Sequence, residues 1–156
     1  PIGYFDVIWA SPPCTEYSVA KTVGVRKIEY ANQIVLKTLK IIHYFQPTYW
    51  MIENPQTGLL KKQTFMENIP YTDIDYCKYG MPYRKRTRIW NNITTWTPQP
   101  LCKKDCGSME NGKHIATAQR GSRKTLYQYN RLSMLHSIPN DLILEIFRSI
   151  EPNSIT

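Results

Sequence analysis

Hydrophobic and polar positions alternate in two distinct periods along this chain. Phe5-Asp-Val-Ile-Trp-Ala10 is a short run of branched and aromatic residues stopped by Ser11-Pro12-Pro13, and it predicts a buried strand. Residues 28–46 place apolar side chains at Ile28, Ala31, Val35, Leu39, Ile42 and Phe45, and Pro47 follows. Steps of three and four predict an amphipathic helix that the proline ends. Tyr49-Trp-Met-Ile-Glu53 predicts a second strand closed by Asn54-Pro55, and Leu59–Glu67 a shorter helix. Thr72–Cys77 and Thr87–Asn91 predict two more strands, broken apart by Gly80 and Pro82. From Thr94 to about Ser122 the periodicity dissolves into Pro, Gly, Lys and Cys. Order returns at Pro139-Asn140, with Asn140 as the expected N-cap and Leu142, Ile143, Ile146, Phe147 and Ile150 along one side of a helix.

Strands alternating with helices predict an α/β fold with a mainly parallel sheet. In such sheets chemistry gathers in loops past the carboxyl ends of the strands. Three unusual segments fall at or beside those ends: Ser11-Pro-Pro-Cys14, Glu53-Asn-Pro55 and Arg84-Lys-Arg-Thr-Arg88.

Charge sharpens the division. Of 156 residues, 20 are Lys or Arg and 12 Asp or Glu, a net charge of +8. Residues 1–76 hold seven of each sign, residues 77–131 twelve basic against Asp105 and Glu110, and residues 132–156 one basic against three acidic. A neutral half followed by a basic stretch suits a polyanion, because neutralised phosphates release condensed counterions. Tyr79, Tyr83, Trp90, Trp96, Tyr127 and Tyr129 are interleaved with these charges, as stacking on bases and sugars requires. A solvated basic loop or a localisation signal would carry the same charge. The apolar fraction of 42% excludes a disordered tail, and the apolar runs are too short to span a bilayer, which takes about 20 residues. No signal peptide opens the chain, so an intracellular location is expected.

Cys14 follows two prolines, which fix φ and stiffen the loop that presents its thiol. A nucleophilic cysteine needs its thiolate, hence a nearby positive charge or helix N-terminus. Taken singly, Cys14 reads as an inert buried thiol, Glu53 as an ordinary strand-end carboxylate and Arg84–Arg88 as an exposed edge.

Together these segments resemble the C5-cytosine DNA methyltransferase family. Pro13-Cys14-Thr15-Glu16-Tyr17-Ser18 is similar to its Pro-Cys loop with a Ser four residues on. Glu53-Asn54-Pro55 is similar to its Glu-Asn-(Val or Pro) segment. Arg84-Lys85-Arg86-Thr87-Arg88 keeps both arginines of its Gln-x-Arg-x-Arg segment, with Arg84 in the Gln place. Ile138-Pro139 with Leu142 and Ile146 looks like its final helix motif, although Leu135-His136 replaces Gly-Asn. The order and spacing match over residues 5–92 and more loosely over 131–150.

The resemblance implies transfer of a methyl group from S-adenosylmethionine to C5 of a flipped-out cytosine in DNA. Cys14 adds to C6, protonated Glu53 holds N3, Arg88 holds O2, and Arg86 orients the thiol loop or the glutamate. It also implies a Rossmann-like methyltransferase sheet, partial here. Residues 1–92 and 131–156 would form the catalytic core, and 93–130 a short, basic, loop-rich target-recognition insertion. Ser18, Lys78, Lys103, Lys104, Arg120, Arg123 and Lys124 are the expected DNA contacts, with Lys113 beside them.

The family's glycine-rich donor turn, Phe-x-Gly-x-Gly, is formed by none of the glycines at 3, 24, 58, 80, 107, 112 and 121. The expectation is therefore a fragment or one half of an enzyme, as the start at Pro1 also suggests, with a missing segment or second chain supplying the donor site. Cys102-Lys-Lys-Asp-Cys106, His114 and Cys77 approach zinc spacing, but without a second paired motif no metal site is assigned. Two alternatives stand. An amino-methyltransferase would use Ser11-Pro12-Pro13 but needs an aromatic residue where Cys14 stands. A non-catalytic DNA-binding module would keep a degenerate methyltransferase fold. A zinc deaminase is excluded by the lack of His-x-Glu and Pro-Cys-x-x-Cys.

Overall fold

The computed structural model describes residues 1–118 and 135–151. It divides into two compact units, one formed by residues 1–73 and 87–93, the other by 74–86 and the chain from 94 onward. Segment 74–86 and the helix at 140–150 belong to the second unit.

In the first unit, β1 (Val7–Ala10) leads through a loop into α1 (Ile28–Phe45) and returns as β2 (Tyr49–Pro55). β1 and β2 are parallel, with Ala10 opposite Ile52. The intervening helix provides the long crossover that parallel pairing demands. α1 buries Ala31, Val35 and Ile42, the positions its sequence period selects, and Gln46 ends it in a left-handed conformation at φ 46° before Pro47. These residues pack with Tyr17, Ile52, Leu60, Met66 and Trp90 into one core. Each large side chain there contributes roughly 1.5–3 kcal/mol by leaving water.

β3 (Tyr71–Asp75) and β4 (Arg86–Asn91) complete a four-stranded sheet in the order β1-β2-β4-β3. β4 runs antiparallel to β2. The sheet is therefore mixed, with β1 and β2 its parallel pair, and not the mainly parallel sheet expected. The link from β3 to β4 is about ten residues long, too short for a parallel crossover.

Three local expectations shift. Leu59–Glu67 forms two short 3-10 turns, Leu60–Lys62 and Thr64–Met66. Gln63 sits between them in an extended conformation and accepts a 2.9 Å hydrogen bond from the Asn32 amide. β3 stops at Asp75 because Tyr76–Tyr79 coils into a turn that Gly80 closes at φ 85°. The helix α2 (Asn140–Ile150) has Pro139, extended at ψ 132°, in the N-cap place expected for Asn140. The Pro139 carbonyl accepts from Ile143 N at 3.2 Å.

In the second unit, α2 buries Leu142 and Ile146, while Tyr83, Ala116 and Leu135 form a small cluster with Met81 and Ala118. A two-stranded ribbon, β5 (Met109–Glu110) and β6 (Lys113–His114), stands in the region expected to be loop.

Candidate functional site

Because β1 and β2 are parallel and β4 antiparallel to both, the ends of β1 and β2 and the start of β4 share one sheet edge. That edge carries the motif residues of the first unit. Cys14 lies four positions beyond Ala10, half-buried, at the head of the turn Thr15–Tyr17. Glu53 and Asn54, placed by sequence at a strand end, are inside β2 and buried.

The Cys14 loop is fastened from both sides. The Asn54 amide Nδ2 donates to the Pro12 carbonyl at 2.9 Å. Leu59 N donates to Tyr17 O at 2.9 Å. A Cβ on Gly58 would lie 3.1 Å from Pro55 O and 3.4 Å from Tyr17 O, so glycine lets these stretches of chain approach closely. Tyr17 is fully buried and its hydroxyl donates to Asn32 Oδ1 at 2.8 Å. Burial pushes that phenol up to about 12.

Past Tyr17 the loop is held electrostatically. Glu16 accepts from Lys21 Nζ at 2.6 Å and from the Lys27 amide at 2.7 Å. Those bonds hold its carboxyl below the usual carboxylate range. Arg26 donates to the carbonyls of Ser18 at 2.6 Å and Lys21 at 2.8 Å. Ser18, an expected DNA contact, is thereby part of a braced loop, and its hydroxyl oxygen accepts from Ala20 N at 3.3 Å.

Arg88 stands opposite Asn54 in the β2–β4 register, and Glu53 opposite Ile89. Opposed residues share a pleat face, so Arg88 leaves the sheet with Asn54 and Glu53 leaves on the other side. The Arg88 guanidinium makes two parallel bonds to Asp73, Nε to Oδ1 at 2.7 Å and Nη2 to Oδ2 at 2.8 Å. It also lies 3.4 Å from the centre of the Tyr71 ring. The Asp73 bond raises the arginine's already high pKa further, so its charge is permanent.

In the second unit, Arg86 is gripped in the same bidentate way by Asp75, at 3.0 and 2.7 Å. The Asp75 side chain is fully buried. It also accepts from Arg84 Nε at 3.3 Å and from the Cys102 amide at 3.0 Å. Burial pushes the Asp75 carboxyl up, but the Arg86 and Cys102 bonds and the Arg84 charge outweigh it and hold the group low. The sequence motifs do not single out Asp73 or Asp75. The signal that could have found them is an acidic pair two apart in one strand facing an arginine pair two apart in the next.

The remaining expected DNA contacts divide. Lys103 and Lys104 are exposed. Lys78 is not a free surface cation: it pairs with Asp105 at 3.3 Å and its side chain is only 14% exposed. Arg120, Arg123 and Lys124, with Tyr127 and Tyr129, lie outside the described residues.

Cys77, Cys102, Cys106 and His114, whose spacing alone assigns no metal site, come together with their ligand atoms all within 4.8 Å of one another. None of the cysteines forms a disulfide. Burial and the neighbouring cysteines push Cys77 up. Burial also opposes the Cys102 thiolate, but the Lys104 amide and the adjacent thiols bring it down. Burial and the Arg84 charge lower His114 and favour its neutral ring.

Residues 1–84 match the family model described as C-5 cytosine-specific DNA methylase. That stretch includes Cys14, Ser18, Glu53 and Asn54 and stops just short of Arg86 and Arg88. A protein of Frog virus 3 (isolate Goorha) named "Probable DNA (cytosine-5)-methyltransferase" is 29% identical over 162 residues, covering 91% of this chain and 74% of its own length. No helix among the described residues is long and apolar enough to cross a membrane.

Proposed function

The chain belongs to the C-5 cytosine-specific DNA methylase family, and from that premise we propose that it acts on C5 of a cytosine in DNA through a covalent adduct between Cys14 and C6. The base is flipped out of the duplex to reach the sheet edge. The Cys14 thiolate adds to C6 and makes C5 an enamine carbon able to take a methyl group. Glu53 hydrogen-bonds N3 and offsets the charge arriving on the ring. Arg88, which the register sends to the face opposite Glu53, takes its role at O2 from the motif alone. Loss of the C5 proton and elimination of the sulfur then release the product. Arg86 takes its role, orienting the reacting groups, from the motif alone. Lys103 and Lys104 bind phosphates.

S-adenosylmethionine is the methyl donor the family implies. Among the described residues the glycines do not form its cradle: Gly58, the one of them pressed closest by neighbouring backbone, serves the Cys14 loop. The chemistry assigned to this chain is therefore that done on the base, with the donor site supplied by a further segment or a second chain. β1 supports this arrangement. It lies at the sheet edge with all four residues only half-buried, whereas parallel strands are ordinarily covered on both faces. A partial Rossmann-like methyltransferase sheet is the fold that fits.

The observation that carries the reading is the Asn54–Pro12 bond, which ties the Pro-Cys loop to the strand bearing Glu53. The test needs no donor. Reversible addition at C6 exchanges the C5 hydrogen with solvent, so the chain is expected to release tritium from DNA containing 5-tritiated cytosine. Cys14→Ser should abolish release and leave DNA affinity unchanged. DNA binding by the wild-type chain with no tritium release would favour a non-catalytic binding module and overturn the proposal.

A further inference from the structure

One cluster in the second unit takes no part in cytosine chemistry. Cys77 sits in the turn after β3, Cys102 and Cys106 flank a turn of three residues, and His114 ends β6. The geometry points to a structural zinc site in which the thiolates of Cys77, Cys102 and Cys106 and the Nε2 of His114 hold one tetrahedral ion. Zinc bonds of about 2.3 Å to sulfur and 2.0 Å to nitrogen set tetrahedral ligand pairs about 3.5–3.8 Å apart. Cys102 Sγ and His114 Nε2 are 3.6 Å apart, and no pair of the four ligand atoms exceeds 4.8 Å. Three soft sulfurs and one imidazole are a zinc donor set, and Cys102-x3-Cys106 has the spacing of a zinc-binding turn.

The backbone around these atoms is arranged to present them. Lys104 adopts a left-handed conformation at φ 69°, which bends the chain between the two cysteines. Its amide donates to Cys102 Sγ at 3.3 Å, as befits a sulfur carrying negative charge. The Cys102 amide is anchored by Asp75 at 3.0 Å. Asn111 and Gly112, at φ 48° and 74°, form the tight turn that joins β5 to β6 and returns His114 to the cysteines. A disulfide would consume two sulfurs and leave the third and the histidine without purpose; all three thiols are free.

The segment also has little apolar core of its own. Between residues 97 and 118, Cys102 and Ala116 are its buried apolar side chains. A stretch with so little core gains its order from a metal, whose binding energy is then folding energy. The ion would fix the loop that displays Lys103, Lys104 and Lys113.

The test is elemental analysis of the chain purified under reducing conditions without added metal, with one zinc per chain expected. Cys14→Ser should keep the ion, whereas Cys102→Ser and His114→Ala should lose it. Replacement by cobalt should give the visible bands of a tetrahedral ion and a near-ultraviolet thiolate charge-transfer band. Should the ligand variants fail to fold, titrating wild-type thiols with an organomercurial decides between the outcomes. Zinc release should follow modification of three cysteines and be indifferent to Cys14. A wild-type chain that neither carries nor takes up zinc or cobalt would overturn the site. So would a disulfide within the trio, or zinc that disappears with Cys14→Ser. These readouts involve neither DNA nor methyl transfer, so the site and the cytosine chemistry stand or fall separately.

Discussion

The side-chain amide of Asn54 donates to the main-chain carbonyl of Pro12, 42 residues earlier, across 2.9 Å in the buried interior. Pro13 offers no amide hydrogen to the loop, so this bond from a neighbouring strand helps to fix where Cys14 points. Two motifs that look independent in sequence are one mechanical piece. Asn54→Ala should cost about 1–3 kcal/mol of stability through loss of a buried hydrogen bond. Tritium release should fall by about tenfold or more, since about 1.4 kcal/mol of misplaced nucleophile is tenfold in rate. DNA affinity should hold. Equal loss of both would mean that Asn54 supports the unit as a whole and not the loop.

Asp73 and Arg88 form a second such pair. Asp73→Asn replaces a bidentate, charge-assisted grip with at most one neutral bond, a loss of about 1.5–3 kcal/mol. The expected result is slower C5 exchange with little change in duplex binding. Arg88→Lys should fare no better than Asp73→Asn, because an ammonium neither forks onto a carboxylate nor stacks on Tyr71. Full activity in Arg88→Lys would remove the planar guanidinium from the reaction.

Asp75 is a stability residue. Removing it leaves Arg84 and Arg86 without their shared carboxylate and the Cys102 amide without an acceptor. The Arg86 side chain is 27% exposed, so water recovers part of the loss. Asp75→Ala should destabilise the chain by about 3 kcal/mol, seen as a lowered midpoint in urea. A change below about 0.5 kcal/mol would show that solvent compensates the arginines completely.

Glu16 sets a pH limit on the loop. Its carboxyl is held below the ordinary value by Lys21 and the Lys27 amide. A pKa depressed in the folded state contributes stability that is complete above the unfolded carboxylate value and is lost as pH falls through the folded one. The nuclear magnetic resonance shift of the Lys27 amide proton should therefore be constant at neutral pH and move in acid, below the usual glutamate range. Glu16→Gln should show the acid-like shift already at neutral pH. A wild-type amide unmoved throughout the acid range would mean that Glu16 does not hold the loop.

What could be read before folding was whatever lies within a few bonds along the chain. The period of α1, the Pro13-Cys14 and Glu53-Asn54-Pro55 motifs and the basic bias after residue 77 are local patterns. What could not be read depends on register. Arg88 finds Asp73 and Arg86 finds Asp75 only once β3 and β4 are paired, and a slip of one residue would send all four side chains to other faces. The 59–67 helix failed for a similar reason: a distant partner, Asn32, engages Gln63 at its extended midpoint.

By itself, then, the sequence determined the residue types of the motifs, their order, and a family membership carried by residues 1–84. Tertiary structure decided which of those residues share an edge, which carboxylates hold the arginines, and that Cys77 joins Cys102, Cys106 and His114 across gaps of 25 residues and more. The reason is physical: motif chemistry is written in side-chain type and short spacing, whereas convergence is set by strand pairing and turn conformation, such as the left-handed Lys104 and the Asn111-Gly112 turn.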